Sequence, residues 1–407
     1  MPGSDEAIVD LGEVDLSDPD VFAGGTPHDL FTRMRQEQPV SWNPMKGEPG
    51  FWSVVRHDDI AAISRDTETF SSWQGGTMIS DGTIPVPVAR QMMLNMDPPE
   101  HTAYRALVNT VFTARRVAHL ESHIRDIARN LIDAALAKGD FDLVADIAVP
   151  LPVQVIAELL GVPPEHYDKL AEWAGASAGF DDPRLRPKDF DQQQSFIERI
   201  QFFHGLAQQR MSEPQDDVVT ALTQAELDGR RLNEFEIGSF LSLILVAGTD
   251  TTRNCYSGGM LAMIEHPDQR ERLSADPSLI PGAVEEFVRW VTPFRHFRRT
   301  ATRDTEIRDV PVKAGDKVVT WFASSNRDED VFTESQRFDV ARDPNRHQGF
   351  GAGGPHYCLG SGLARLELRI LLEETIARVP PLELAGEPDR VRSALLNALH
   401  ALPVRPS

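Results

Sequence analysis

With a formal net charge of −21 over 407 residues, the chain lacks the basic footprint that nucleic-acid phosphates or an anionic membrane surface require. Hydrophobic residues at 41% and charged residues at 25% are the proportions of a soluble globular protein. The polar, acidic start carries no signal-peptide pattern, the apolar run near Leu241–Ala247 is too short to span a bilayer, and two cysteines make no disulfide framework, so a cytoplasmic protein is expected.

Residues 1–25 read as an acidic N-terminal extension. A short helix follows (Pro27–Glu37), then strand-like pieces at Val40–Trp42 and Gly50–Val55. From Ser71 to Asp97 the chain is rich in Gly, Pro, Ser and Thr and reads as a long irregular loop, a feature that is usually functional inside a compact domain. Pro98-Pro99-Glu100 opens a helix to about Val111, since proline suits a first turn. Apolar periodicity predicts further helices at Arg115–Lys138, Val153–Leu160, Pro164–Ala176, Asp189–Ser212, Val218–Asp228, Asn233–His266 and Leu359–Val379. Short β-type runs occur at Asp304–Val312 and Lys317–Phe322. Helix dominates and no composition break marks a linker. The expected fold class is therefore mainly α with small β-sheets, in a single domain spanning 1–407.

The most informative segment is Phe350-Gly-Ala-Gly-Gly-Pro-His-Tyr-Cys358-Leu-Gly360. Cys358 closes a glycine-rich turn just before an amphipathic helix, where the macrodipole and free N–H groups favour an anion. A thiolate there could ligate a metal or attack an electrophile, and the glycines admit a large flat ligand. Ala247-Gly-Thr-Asp250-Thr251-Thr252 interrupts a buried helical run with an acid and hydroxyls. Gly248 costs about 1 kcal/mol against alanine inside a helix, so it asks for a reason: a helix kink, or a groove that holds a small ligand and passes protons to it. Glu286 and Arg289, three apart, share a helical face beside Trp290 and form a candidate structural network with Arg337 as third member. His101 and Arg105, four apart, together with Arg299 and His356, could meet the carboxylates of a cofactor. No zinc helix, nucleophile elbow or Walker loop is present.

In combination and order, these motifs make the chain similar to the cytochrome P450 family over nearly its whole length; His101-Thr-Ala-Tyr-Arg105, Arg299-Thr-Ala301, Asn326-Arg-Asp328 and Arg337-Phe338 add to the match. One departure is the spacing of Phe350, eight residues before Cys358 where the family usually has seven. That longer loop, with Met93–Asp97, Asn254 and Asn345-Arg-His347, resembles actinobacterial enzymes acting on sterol side chains, branched lipids and terpenoids. The resemblance implies a P450 fold and haem b with Cys358 as thiolate ligand to the iron. It implies that Phe350, Ala247, Gly248 and Gly360 pack around the haem, with Ala247 and Gly248 leaving room for O2. It also implies that His101, Arg105, Arg299 and His356 bind the propionates, and that Asp250 and Thr251 relay protons. The reaction would be monooxygenation of a hydrophobic small molecule by O2. Electrons would come from NAD(P)H through a reductase and a ferredoxin-type donor docking on the proximal face near Arg105, Arg115, Arg116, Arg342, Arg346 and Arg365. Candidate substrate residues are Leu243, Val246, Phe294, Arg295 and His296, the last two as anchors for a carboxylated ligand or a polyketide or terpenoid metabolite. A haem-binding protein without turnover is the alternative class.

Overall fold

The longest helix of the computed structural model, Glu234–Glu265, is apolar on nearly all sides and buried along most of its length, as an all-round hydrophobic helix must be. Its start is set by a capping box: Asn233 Oδ1 accepts from Glu236 N at 2.9 Å, and Glu236 Oε2 accepts from Asn233 N at 2.7 Å. Pro267 ends it by restricting His266. Around this central helix pack Pro150–Leu159, Tyr167–Ala178, Gln192–Ser212, Ile280–Val291 and Ser361–Arg378. The structure describes residues 11, 13–81, 86–109, 112–178, 181–185, 191–227 and 229–407.

The architecture is mainly helical with small sheets, as expected. The largest sheet orders its strands Val40–Met45, Glu48–Val54, Lys317–Trp321, His296–Ala301 and Phe70–Ser71. Lys317–Trp321 runs parallel to Glu48–Val54 and antiparallel to His296–Ala301, with Val318 opposite both Trp52 and Arg299. The expected helix Arg115–Lys138 is two, Ala114–His119 and Glu121–Leu136, because Leu120 N turns back to Val117 O at 3.0 Å. Helices His57–Arg65 and Pro267–Ala275 have no counterpart in the sequence reading, being short and highly charged. The expected N-terminal extension contributes core: Leu16 and Phe22 are fully buried, and Phe22 stacks on Trp321 at 5.7 Å.

Glu286 and Arg289 are wholly buried and paired in a bidentate fork, with both N···O distances 2.7 Å. The remaining Arg289 donors reach the carbonyls of Asn326 and Ser335 at 2.9 Å and of Arg337 at 3.0 Å. The third side chain differs from the one expected. Arg342 Nε donates to both Glu286 oxygens at 3.3 and 3.2 Å, and Asn345 Nδ2 adds a contact of 3.1 Å. Arg337 turns its side chain outward to Glu334 and joins the network only through its carbonyl. The reason is local: Arg337 follows Glu334, whose φ is +48°, and the turn brings Arg342 back over Glu286.

Removing one partner of a fully desolvated pair leaves an uncompensated charge, whereas an exposed pair is worth little. Glu286→Ala or Arg289→Ala is therefore expected to cost about 3–5 kcal/mol. Arg337→Ala should stay within about 0.5 kcal/mol. Urea unfolding followed by circular dichroism measures both, and a large effect at Arg337 would refute this assignment of roles.

Candidate active site

The cysteine loop is shaped by Gly351, Gly353 and Gly354, whose φ angles of +98°, +88° and +75° lie in the left-handed region that favours glycine. A Cβ on Gly354 would also sit 2.2 Å from the Ser64 carbonyl oxygen, so the loop packs directly on the helix His57–Arg65. Cys358 N donates to Phe350 O at 2.8 Å, closing the turn, and Gly360 caps the helix Ser361–Arg378. Burial pushes the Cys358 thiol pKa up, opposed by the Gly360 N–H, Arg105, Arg365 and the Ser361 N–H. The helix end alone does not secure a thiolate: desolvation outweighs it, and a bound metal cation would supply what is lacking.

Cys358 lies on one side of a cavity whose wall includes Phe350, Gly351, Leu359, Gly360 and Leu363. Across from it stand Leu243, Ala247, Gly248 and Thr251 of the central helix. The space is therefore a slot between the cysteine loop and the central helix. Along it gather His101 of the helix Glu100–Asn109, Arg105 one turn later, Arg299 of the strand His296–Ala301, and His356 of the cysteine loop. The rings of His101 and His356 lie 4.2 Å apart, and His101 Nδ1 is buried without a partner. Burial, then Arg299 and His101, hold the His356 pKa down at about 2. Burial and Arg105 hold His101 at about 4, and burial lowers Arg299 to about 10. Asp97, the acid bearing on His101 and Arg299, is engaged by Ser72 N at 2.8 Å and by the Ser71 hydroxyl. The cluster thus carries two guanidiniums against the one carboxylate of Asp97, and an orphaned donor or acceptor. A flat ligand with carboxylates at one edge and a metal centre near Cys358 fits both deficits.

Thr251 Oγ1 bonds back to Ala247 O at 2.8 Å and faces the cavity. Asp250 is buried behind it, where desolvation raises its pKa against the effect of Arg253. Its Oδ1 pairs with Arg253 Nη1 at 3.2 Å, while Oδ2 has no partner. Gly248 lines the cavity and has a second reason for its size: a Cβ there would lie 2.6 Å from Ile156 Cδ1, so it sets the close approach of the helix Pro150–Leu159.

Of the expected substrate residues, Leu243 and Phe294 line the cavity. Val246 packs instead beside the apolar cluster of Val391, Leu395 and Leu396. Arg295 and His296 do not reach the cavity, which corrects the expectation that either anchors a ligand. Arg295 is fully buried, donating to Thr26 Oγ1 at 2.9 Å, to the carbonyls of Ser393 and Leu396, and to Asn397 Oδ1 at 3.1 Å. His296 packs on Trp321, ring centres 4.7 Å apart. Strand alternation explains the rest: Phe297 and Arg299 face the cavity, and His296 and Arg298 the other side. Among the expected docking arginines, Arg342 is committed to Glu286 and Arg105 lines the cavity, and Arg365 pairs with Glu285 at 2.7 Å. Arg115, Arg116 and Arg346 are exposed.

Comparison with known proteins decides the family. The cytochrome P450 family profile matches residues 187–380. A steroid C26-monooxygenase of Rhodococcus jostii is 38% identical over 395 residues, covering 95% of this chain and 83% of that protein. A methyl-branched lipid omega-hydroxylase of Mycobacterium tuberculosis is 38% identical, covering 98% and 94%. A linalool 8-monooxygenase of Pseudomonas putida is 38% identical, covering 96% and 98%. The fold matches a Mycobacterium marinum cytochrome P450 in complex with pseudoionone, with TM-score 0.90, 36% identity and coverage of 98% and 100%. The chain belongs to the cytochrome P450 family. It is a monooxygenase, and membership implies haem-thiolate chemistry, a substrate, O2 and a redox partner. Among the described residues, no helix is long and apolar enough to cross a membrane.

A buried acid in the cavity of this P450 was missed by the sequence reading. Glu367, within Leu363-Ala-Arg-Leu-Glu367, is fully buried, lines the cavity, and leaves Oε2 without a partner. Its signal was an acid placed four residues after Leu363 and four before Leu371, on the apolar face of the helix Ser361–Arg378. Burial raises its pKa well above the usual carboxylate range. The native state then holds a proton that the unfolded chain loses near pH 4.3, so stability present below that pH falls as pH rises toward the raised folded value. Glu367→Gln removes this dependence. Its melting temperature should match wild type near pH 4 and exceed it increasingly between about pH 5 and 8. Parallel thermal melts across that range test the assignment.

Proposed function

We propose that Cys358 is the thiolate ligand of haem b, and that this P450 hydroxylates an apolar molecule of the sterol, branched-lipid or terpenoid kind. The observation that carries the substrate class is the segregation of the cavity. Its basic side chains collect at one edge, while Leu94, Phe240, Leu243, Ile244, Phe294 and Phe297 make the wall. A hydrophobic ligand is therefore recognised by burial and shape, in keeping with the steroid, branched-lipid and linalool oxygenations named for its relatives. Among the described residues no cation is directed at the wall, so they offer a carboxylated ligand no anchor there. His101, Arg105, Arg299 and His356 would hold the haem propionates, and Phe350, Ala247, Gly248 and Gly360 would flank the ring.

When bound, haem supplies the binding and reductive activation of O2. The stoichiometry is one substrate C–H, one O2, two electrons and two protons, giving one C–OH and one water. The chain's own part is to exclude bulk water and deliver those protons. Thr251 presents its hydroxyl to the cavity, and Asp250 behind it is a buried acid whose free Oδ2 can take up a proton and pass it on. The electrons would come from NAD(P)H through a reductase and a ferredoxin-type donor, with exposed Arg115, Arg116 and Arg346 as the basic contribution to docking.

Sterols, branched fatty acids and terpenoids should each be titrated into the ferric protein and compared with short linear carboxylic acids. The expected result is a low-to-high-spin shift with branched apolar ligands and none with the short acids. A shift driven by the short acids would overturn the substrate class. Asp250→Asn is expected to slow product formation by on the order of 10²-fold, with a larger solvent isotope effect than wild type. Thr251→Ala should continue to consume O2 while forming little product. Unchanged product per O2 in both variants would remove the relay.

A further inference from the structure

Behind the central helix, on the stripe formed by Asn254, Gly258, Leu261 and Glu265, lies a second and separate cavity of about 220 Å³. Its other walls are Gly24–Thr26 and His28 near the N-terminus, Trp290 and Val291, Arg327, Arg390 and Asn397–Leu399. Polar groups dominate it, and three of them are buried with unmet hydrogen-bonding capacity: Arg327 Nε, Asn254 Nδ2 and His28 Nδ1. The first two can only donate. The amide orientation of Asn254 is set independently, because its Oδ1 accepts from Arg253 Nε at 3.0 Å. Arg327 spends its other nitrogens on Gln336 Oε1 and Trp290 O and stacks 3.5 Å over the Trp290 ring. Arg390 adds a second guanidinium, whose side chain has no hydrogen bond or ion pair among the described residues. The acid on this wall, Glu265, is exposed at the rim.

Among the described residues no acid is enclosed with the unpaired donors and two guanidiniums, and waters could meet those donors but bring no charge to the site. An oxyanion offers several acceptors and the missing charge. The electrostatics agree: burial and the guanidiniums of Arg327, Arg295, Arg35 and Arg289 hold His28 well below its ordinary pKa. The volume suits a small anion with a few waters at ~30 Å³ each.

We propose that this cavity is a binding site for a small oxyanion, phosphate or carboxylate, held by Arg327, Arg390 and Asn254. It is distinct from the oxygenation site, yet its floor touches the relay: Asn254 binds Arg253, and Arg253 binds Asp250.

The test uses the haem-loaded protein. Sodium phosphate, sodium acetate and sodium chloride are titrated at matched ionic strength while the melting temperature and heat of binding are recorded. A saturable rise with phosphate or acetate above that with chloride is expected, and whichever is stronger identifies the source. Arg390→Gln, at a half-buried position, should keep the thiolate-haem spectrum and weaken binding by about tenfold or more, as loss of a charge-assisted contact implies. No saturable rise in the wild type, an equal rise with chloride, or equal binding by Arg390→Gln overturns the proposal.

Discussion

The guanidinium of Arg289 has five N–H donors, and the fold gives each an acceptor: two oxygens of Glu286 and the carbonyls of Asn326, Ser335 and Arg337. A charge removed from water is tolerable only under such complete satisfaction. The arrangement fixes the irregular chain between Asn326 and Arg342 against the helix Ile280–Val291. From there the constraint passes to the cysteine. Asn326 Oδ1 accepts from Gln348 N at 2.7 Å, Gln348 Nε2 donates to His57 O at 2.9 Å, and Gln348 O accepts from Gly351 N at 2.9 Å. The loop that presents Cys358 is therefore held by a buried ion pair that never touches the cavity.

The oxygenation site is built from two electrostatic deficits that the polypeptide leaves open. The thiol is too desolvated to ionise readily on its own, and four basic side chains crowd a slot with Asp97 as partial compensation. Each deficit is destabilising alone. A metal at the sulfur and carboxylates at the edge would relieve both together, and cofactor binding would then be linked thermodynamically to folding through the same residues.

Much of this was legible in the sequence. The apolar length of Glu234–Glu265 and the glycine turn before Cys358 are local properties, and local spacing reports them. So is the pairing of Glu286 with Arg289, which lie on one helical face. What escaped was decided by long-range geometry. Arg337 and Arg342 lie together in one irregular stretch, well after the helix and its neighbouring strands, and only the backbone turn at Glu334 determines which side chain returns to Glu286. Arg295 looked like an anchor because it follows Pro293 beside the expected cavity. Its partners lie near residues 26 and 393–397, far away in sequence, and no periodicity announces them. Glu367 was visible as an acid on an apolar face, but its meaning depends on the desolvation that packing supplies.

The contact of Gly248 with Ile156 bears on how such an enzyme can diverge. The roof of the cavity is pinned where two helices nearly touch, and any larger side chain at 248 would have to displace Ile156. Variation in ligand shape is therefore channelled to residues whose side chains end in open space, Leu243 and Phe294 first among them. The geometry above Cys358 can then stay constant while the far wall is rewritten. A lineage can exchange one hydrocarbon skeleton for another by single substitutions there, without re-evolving the centre that attacks it.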